Sequence, residues 1–324
     1  MNVVVGNVSG QLVEQWIERL TPYFWPLVGG IVALYVVVKL WRFLRSAATT
    51  YGSVGMFGKG RGTAPADYTE HHRVRWHADP ARFTPAPEHW SLGVTAVYGI
   101  CAGDPWDRLT EGNHEQTRLA LAEAWGIRSR PQMLAQIYGL LREGHRVWLE
   151  DLASGRVMPM RDDQEQAWQV AQAQANHRGV RDVRFDAWDL VRAAMLTRSG
   201  YALEWLTDSE AVDTLNLISA HLQARYASWE EMGDHFLRAR WFWNSADGIE
   251  EKQNDAHDIS RQAALLAPIT GPWSRLPWRQ PLPESRLVLL DSLIREGLVE
   301  QVPEHAHTPL AEKLDAAAAE RLAR

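Results

Sequence analysis

The stretch VRFDAWDLVRAAMLTR, residues 183–198, decides the fold class of this sequence. Its large apolar side chains recur at intervals of three and four residues, at Phe185, Trp188, Val191 and Met195. This is the period of an α-helix that buries one face. The segments on both sides repeat the pattern, so we predict a mainly α-helical domain over residues 88–324 with few or no short strands.

The same period places the neighbouring helices. It predicts them from about residue 88 and over residues 113–125, 130–143, 164–176, 209–225, 229–244, 287–298 and 311–324. Thr207 or Asp208 caps one of them, and Ser228 with Glu231 has the pattern of a capping box. Residues 146–149 are one possible edge strand. Residues 266–283 contain five prolines, which predicts an extended strap across the helices.

An uncharged segment near the N-terminus, LTPYFWPLVGGIVALYVVV at residues 20–38, has the length of a membrane span, since a crossing helix needs about 20 apolar residues. A cleaved signal peptide, a buried helix and an amphipathic surface helix fit less well, because few cations precede the segment and no polar face interrupts it. Five cations follow it within 25 residues and only Arg19 precedes it nearby. The positive-inside rule therefore predicts a single-pass protein of the bacterial inner membrane, with its N-terminus outside and the helical domain in the cytoplasm.

Three regions follow from this organisation. Residues 1–46 form a short outer segment and the anchor, residues 47–87 form a linker rich in glycine and proline, and residues 88–324 form the helical domain. Gly29 and Gly30 inside the span also leave open a structural subunit that packs its anchor against other membrane helices.

Composition excludes several classes of function. The net charge of −6 gives no basic footprint for nucleic acid. The single cysteine, Cys101, excludes an internal disulfide, and its apolar setting favours an inert thiol. The three histidines of residues 68–77 do not have a zinc-site spacing, and no phosphate-binding, H-E-x-x-H, C-x-x-C or G-x-S-x-G motif is present. We predict no cofactor and no metal.

Four residues are weak candidates for catalysis: His145, Asp189, Arg192 and Glu230. His145 and Arg146 close a predicted helix, where cationic side chains interact well with the carbonyl end of the dipole. Asp189 and Arg192 share a helix face. They form either a buried polar network that fixes helix packing or, with His145, a small polar site. Glu230 is either an acidic residue at a helix start or a catalytic carboxylate.

Sixteen tryptophans are unusual for a chain of 324 residues. Tryptophan serves both aromatic cores and protein interfaces. We predict that Trp229, Trp241 and Trp243 contribute to a surface that binds another protein, although a helix that is partly core and partly surface also explains them.

Five blocks in order carry a family resemblance: WSLGVTAVYGI from Trp90, AWGIRSRPQMLAQIYGLLREGHR from Ala124, FDAWDLVRAAMLTRSGYALEWLTDSEA from Phe185, YASWEEMGDHFLRARWFW from Tyr226, and LPW at residues 276–278. Over residues 90–278 the chain resembles the bacterial domain-of-unknown-function 1266 family. The family has no established activity to carry over. Its members often have a glycine soon after the Gly-Tyr pair, where this chain has Ala202, Leu203 and Glu204.

Members resembling this chain occur near chaperone-like genes and near toxin and secretion clusters. The function we predict is a membrane-anchored helical module that binds a protein at the cytoplasmic face, in a toxin-neutralisation, secretion or stress-response setting. The alternative is a hydrolase whose polar site contains His145, Asp189 and Glu230.

Overall fold

A computed structural model of the chain describes residues 74–102, 104–109, 114–155, 164–245 and 248–324. These residues form twelve α-helices and no strand beyond an isolated bridge between Arg75 and Pro105, which confirms the mainly α-helical prediction. The helices are α1 Pro87–Ala102, α2 His114–Ala124, α3 Arg130–Arg142, α4 Arg146–Ala153, α5 Gln164–Gln174, α6 Asp186–Ala202, α7 Asp208–Arg225, α8 Trp229–Asn244, α9 Gly248–Leu265, α10 Pro272–Arg275, α11 Val288–Arg295 and α12 Pro309–Leu322. Short 3₁₀ turns span Pro80–Arg82 and His177–Asp182.

Helix α6 is the central element of the domain. It packs against α1, α3, α4, α7 and α8. Every residue of α6 except Tyr201 is buried, so the helix is enclosed on all sides and not on one face alone. Its polar side chains, which include Asp186, Asp189 and Arg192, therefore lie in the interior, where each needs a partner.

Side-chain caps begin the two long helices that follow α6. The Thr207 hydroxyl accepts from the Glu210 N–H while the Glu210 carboxylate accepts from the Thr207 N–H, which completes a capping box. At α8 the Ser228 hydroxyl accepts from the Glu231 N–H. The Glu231 carboxylate accepts from the N–H of Ala227 and not from that of Ser228, so only half of the predicted box forms.

Four buried tryptophans attach the proline-rich segment 266–283 to the helices. Their indole N–H groups all donate to main-chain carbonyls, namely Trp90 to Trp278 (3.1 Å), Trp229 to Leu276 (2.8 Å), Trp273 to Gly93 (3.0 Å) and Trp278 to Tyr226 (3.0 Å). The rings of Trp229 and Trp273 stack with centroids 5.6 Å apart. Each ring therefore has both apolar contacts and a satisfied N–H, which is how tryptophan is accommodated in a core.

Residues 146–149 were predicted as a possible edge strand, and this prediction is wrong because Arg146–Ala153 is helix α4. The buried side chains of Leu149, Leu152 and Ala153 recur at helical spacing. Val147 and Trp148 favour strands by local propensity, but packing of α4 against α5 and α6 overrides that preference. Helix α9, Gly248–Leu265, had no counterpart among the predicted helices.

The predicted membrane anchor at residues 20–38 lies outside the described residues. Of the helices that are described, none combines the length and the apolar character that a membrane span requires. The predicted linker is described only from residue 74, and this end of it contacts the helical domain. There the ring of Trp76 lies 4.9 Å from that of Phe83 and 4.8 Å from that of Trp106.

The chain turn after α6 contains a residue in a left-handed conformation. Glu204 has a φ of +59°, which glycine adopts without the strain a Cβ atom causes. The exposed glutamate therefore carries backbone strain at this turn.

We predict that Glu204→Gly stabilises the protein by about 0.5–1 kcal/mol, because it removes the Cβ strain at an exposed position. The measurement is the free energy of unfolding in urea. Glu204→Ala is the control, since alanine keeps the Cβ atom and should give no gain. Equal effects of the two substitutions would contradict the explanation.

Candidate functional site

The structure brings together three of the four candidate catalytic residues. His145, at the start of α4, lies against Asp189 and Arg192 of α6. The His145 Nδ1 atom is 3.1 Å from Arg192 Nη1 and 3.5 Å from Asp189 Oδ1. Arg192 Nη1 is also 3.5 Å from Asp189 Oδ1. His145, Asp189 and Arg192 therefore form one cluster of side chains, which serves either as a polar network that fixes helix packing or as a polar site.

The Asp189 carboxylate caps helix α4 from the neighbouring helix. Its two oxygens accept from the main-chain N–H groups of His145 (3.0 Å) and Arg146 (2.7 Å). A carboxylate at a helix N-terminus satisfies donors that the helix cannot pair and interacts well with the positive end of the dipole. Because Asp189 is 0 % exposed, these bonds also replace the water that its charge would otherwise require.

Gly144 makes this approach possible. Its φ is +63°, and a Cβ atom there would lie 2.2 Å from the nearer Asp189 oxygen. The residue ends α3 and lets the chain turn into α4 while the carboxylate lies against its backbone. Gly144 is therefore required both by its left-handed backbone and by the packing of Asp189.

Arg146 joins the end of α3 to the same carboxylate. Its guanidinium donates to the carbonyls of Leu140 (2.6 Å) and Leu141 (2.7 Å) and lies 3.5 Å from Asp189. This is the interaction with a helix C-terminus that the sequence predicted for the His145–Arg146 pair. Arg146 alone makes it with its side chain, because the His145 ring turns towards Arg192.

The Arg192 guanidinium is surrounded by tryptophan rings. Its central carbon lies 4.6 Å from the Trp125 ring centroid, 4.7 Å from that of Trp188 and 6.0 Å from that of Trp243. Cation–π attraction of this kind strengthens when water is removed. Burial lowers the pKa of Arg192, while Tyr98 and Asp189 act in the opposite direction. We call Trp125, His145, Trp148, Trp188, Arg192 and Trp243 the arginine–tryptophan cluster.

The outer part of the cluster reaches the surface. The side chain of His145 is 34 % exposed and Trp148 is 36 % exposed, whereas Trp243 is half-buried. The Trp243 ring contacts both, at 4.7 Å from the His145 ring and 5.8 Å from that of Trp148. A buried cation therefore lies beneath an aromatic surface.

The Arg192 guanidinium contacts Nδ1 of His145. A guanidinium can only donate, so this nitrogen accepts where Arg192 donates to it. The lone pair of Nδ1 that accepts from Arg192 is not available to remove a proton from a substrate.

Glu230 and two of the predicted partner-binding tryptophans lie elsewhere. Glu230 is exposed in the first turn of α8, whereas Trp243 is in the last turn, about 20 Å away along the helix axis. Trp229 is 4 % exposed and packs on Trp90, and Trp241 is 1 % exposed and packs on Trp168. Of the three predicted tryptophans, Trp243 is the one that belongs to the cluster.

A second buried carboxylate on α6 has a purely internal set of partners. Asp186 accepts from His221 (3.1 Å) and Arg225 (3.1 Å) of α7. Burial by itself would raise the pKa of Asp186, but the hydrogen bond and positive charge of His221, with Arg225, lower it to about 2. This site is a helix-to-helix contact with compensated charge.

Sequence reasoning missed Trp125, Trp148 and Trp188 as members of a site. Trp125 and Trp188 were assigned to buried helix faces, and Trp148 lay in the segment predicted as a strand. Their convergence comes from three different elements, so spacing along the chain could not have revealed it.

The members of the cluster all lie inside a matched family region. A family model described as "Protein of unknown function (DUF1266)" matches residues 120–278. The chain thus matches the DUF1266 family over residues 120–278. The predicted resemblance is confirmed over this range, while residues 90–119 lie outside the matched part of the chain.

Two curated relatives from Escherichia coli K12 extend the DUF1266 comparison. The chain is 26 % identical over 139 residues to "Uncharacterized protein YbeU" and 24 % identical over 142 residues to "Uncharacterized protein YbeR". Each alignment covers 39 % of this chain and 57 % or 58 % of the relative, so the chain spans less than two thirds of either relative's length. No solved structure matches the chain significantly.

We predict that Gly144→Ala destabilises the DUF1266 domain by about 3 kcal/mol or more, because the new methyl group displaces the Asp189 carboxylate from its buried donors. Gly155→Ala is a matched control: its φ is +76°, but nothing lies within 4 Å of the added Cβ atom. It should cost only about 1–2 kcal/mol of backbone strain. Urea unfolding of both variants measures the difference, and equal losses would remove the role assigned to Asp189.

Proposed function

We propose that the chain is a membrane-tethered helical binding module whose arginine–tryptophan cluster docks a protein partner at the cytoplasmic face. The observation that carries the proposal is the surface made by Trp148, Trp243 and His145 above the buried Arg192. The biological setting that we propose is toxin neutralisation, secretion or a stress response.

The composition of this surface supports binding. Tryptophan and arginine are the residues most enriched at energetically important interface positions. A half-buried ring such as Trp243 gives a partner a large apolar contact at little cost in side-chain entropy. Since His145 and Arg192 lie directly beside it, the same surface also offers hydrogen-bond donors that fix orientation.

The hydrolase alternative receives less support from the same geometry. His145 and Asp189 lie together, but the Asp189 carboxylate is already bound by two main-chain N–H groups, and Nδ1 of His145 contacts the Arg192 guanidinium. Glu230 lies at the far end of α8. A hydrolase would require a different base or an external nucleophile.

Membrane attachment rests on the sequence of residues 20–38. Nineteen consecutive uncharged residues are long enough to cross a bilayer, and the cations that follow favour a cytoplasmic position for the rest of the chain. Attachment would raise the local concentration of the binding surface for a partner at the membrane.

A photo-crosslinking amino acid tests the docking surface. We expect p-benzoylphenylalanine in place of Trp148 in the full chain to form a discrete covalent adduct in living cells, detected by gel shift and mass spectrometry. Adding Trp243→Ala should abolish the adduct, because it removes the ring that contacts position 148.

The control carries the crosslinker in place of Val212, which is 41 % exposed on α7 and outside the cluster. This variant matches Trp148 in exposure and should give no such adduct. The same adduct from both positions, or none from position 148, would remove the proposed docking surface.

Fractionation tests the anchor separately. The full chain should stay in the membrane pellet after carbonate washing, whereas the double variant Val28→Arg and Val32→Arg should be released. Each arginine at the centre of a span costs about 2.5–3.5 kcal/mol of insertion free energy. Val212→Arg is the control and should leave the distribution unchanged; release of the unmodified chain would exclude a membrane span.

A further inference from the structure

The Arg192 guanidinium is buried but only partly bonded. Arg192 is 8 % exposed, and its hydrogen bonds to described residues all come from Nη1. Its Nε and Nη2 groups donate to no described residue. They form one edge of the guanidinium, so two parallel N–H donors are left for an acceptor in the geometry of a fork.

Two further donors beside Arg192 are unused. The indole N–H groups of Trp125 and Trp188 are buried and lack a hydrogen-bond partner, in contrast to those of the four tryptophans that attach segment 266–283. Trp188 is 6 % exposed. A buried donor without a partner costs free energy, so its presence beside an unsaturated arginine indicates a place for an external acceptor.

Asp189 is shared among several donors. Among the described residues it is the one carboxylate that contacts both Arg146 and Arg192, and it also accepts from the N–H groups that begin α4. Arg146 has further acidic neighbours, since its charge also acts on Glu150 and Asp186. Arg192 therefore has room for a second acceptor in a desolvated, aromatic environment, where an anion would be bound strongly.

We propose that the arginine–tryptophan cluster binds a carboxylate of its partner through the free edge of Arg192 and the indole N–H groups of Trp125 and Trp188. A planar carboxylate matches the fork of the guanidinium. Trp148 and Trp243 then contact the apolar neighbours of that carboxylate. The proposal deepens the proposed function and rests on it for the identification of the carrier as a protein.

The carboxylate can belong to an acidic side chain or to a C-terminus, and peptides distinguish these sources. The test uses the full chain in mild detergent and fluorescein-labelled short peptides of one neutral sequence. One peptide has a free C-terminus, one is amidated and contains a central glutamate, and one is amidated and neutral. Fluorescence anisotropy measures the dissociation constants, and inorganic phosphate serves as a competitor.

We expect one of the two carboxylate peptides to bind at least about tenfold more tightly than the neutral amidated peptide. Arg192→Lys keeps the charge but loses the fork, so it should weaken that binding about tenfold. Trp188→Phe keeps an aromatic ring and loses the N–H, so it should weaken binding severalfold. Thermal melting identifies any variant that fails to fold. If one of Arg192→Lys and Trp188→Phe does not fold, peptide binding by the other variant still decides the outcome.

Arg184→Lys is the matched control. Arg184 also lies over an aromatic ring, that of Tyr226 at 4.9 Å, but its charge is paired with Glu231. Its substitution should leave peptide binding unchanged. Equal affinity for the carboxylate and the neutral peptides, equal affinity of the Arg192→Lys protein, or stronger competition by phosphate than by free carboxylate peptide would each overturn the proposal.

The two proposals can fail independently. If position 148 forms an adduct that depends on Trp243 while the peptides are not distinguished, partner docking stands and carboxylate recognition is excluded. If carboxylate peptides bind through Arg192 while position 148 gives no adduct, carboxylate recognition stands and docking of a protein partner is excluded.

Discussion

The contact on which this domain depends is the burial of the Asp189 carboxylate at the start of helix α4. A charge without access to water must be compensated by the protein, and here two main-chain N–H groups and two arginines compensate it. Since the carboxylate belongs to α6 and its donors belong to α4, the contact fixes the relative position of these helices. Arg146 extends the constraint to the end of α3.

A buried carboxylate from another helix also caps the start of helix α11. Asp213 of α7 accepts from the main-chain N–H groups of Arg286 (2.6 Å) and Val288 (2.9 Å) at the beginning of α11. At both places the preceding backbone enters a left-handed conformation, at Gly144 or at Leu287. The domain thus uses buried carboxylates of its central helices to begin peripheral helices, which links local helix formation to tertiary packing.

The two carboxylates of α6, Asp186 and Asp189, differ in whether the cationic side chains beside them keep N–H groups without a partner. Asp186 is surrounded by donors from α7 whose charges are compensated. Asp189 satisfies α4 and Arg146 but leaves part of the Arg192 guanidinium without a partner. This difference separates a structural contact from the base of a binding site, and it explains why aromatic rings and an exposed histidine collect at Arg192.

The helical class, most helix positions and the caps at Thr207 and Ser228 could be predicted from the amino-acid sequence, because they depend on local periodicity and short-range hydrogen bonds. The DUF1266 resemblance came from blocks of matching residues. The helical state of residues 146–153, the burial of Trp229 and Trp241, and the contact of Trp243 with His145 and Arg192 became visible in the folded domain. Helix α9 is a further case, since the ion pair between Arg240 of α8 and Asp258, 18 residues later on α9, depends on how these two helices pack. Burial and charge compensation arise between helices distant in sequence, and no spacing within one segment encodes them.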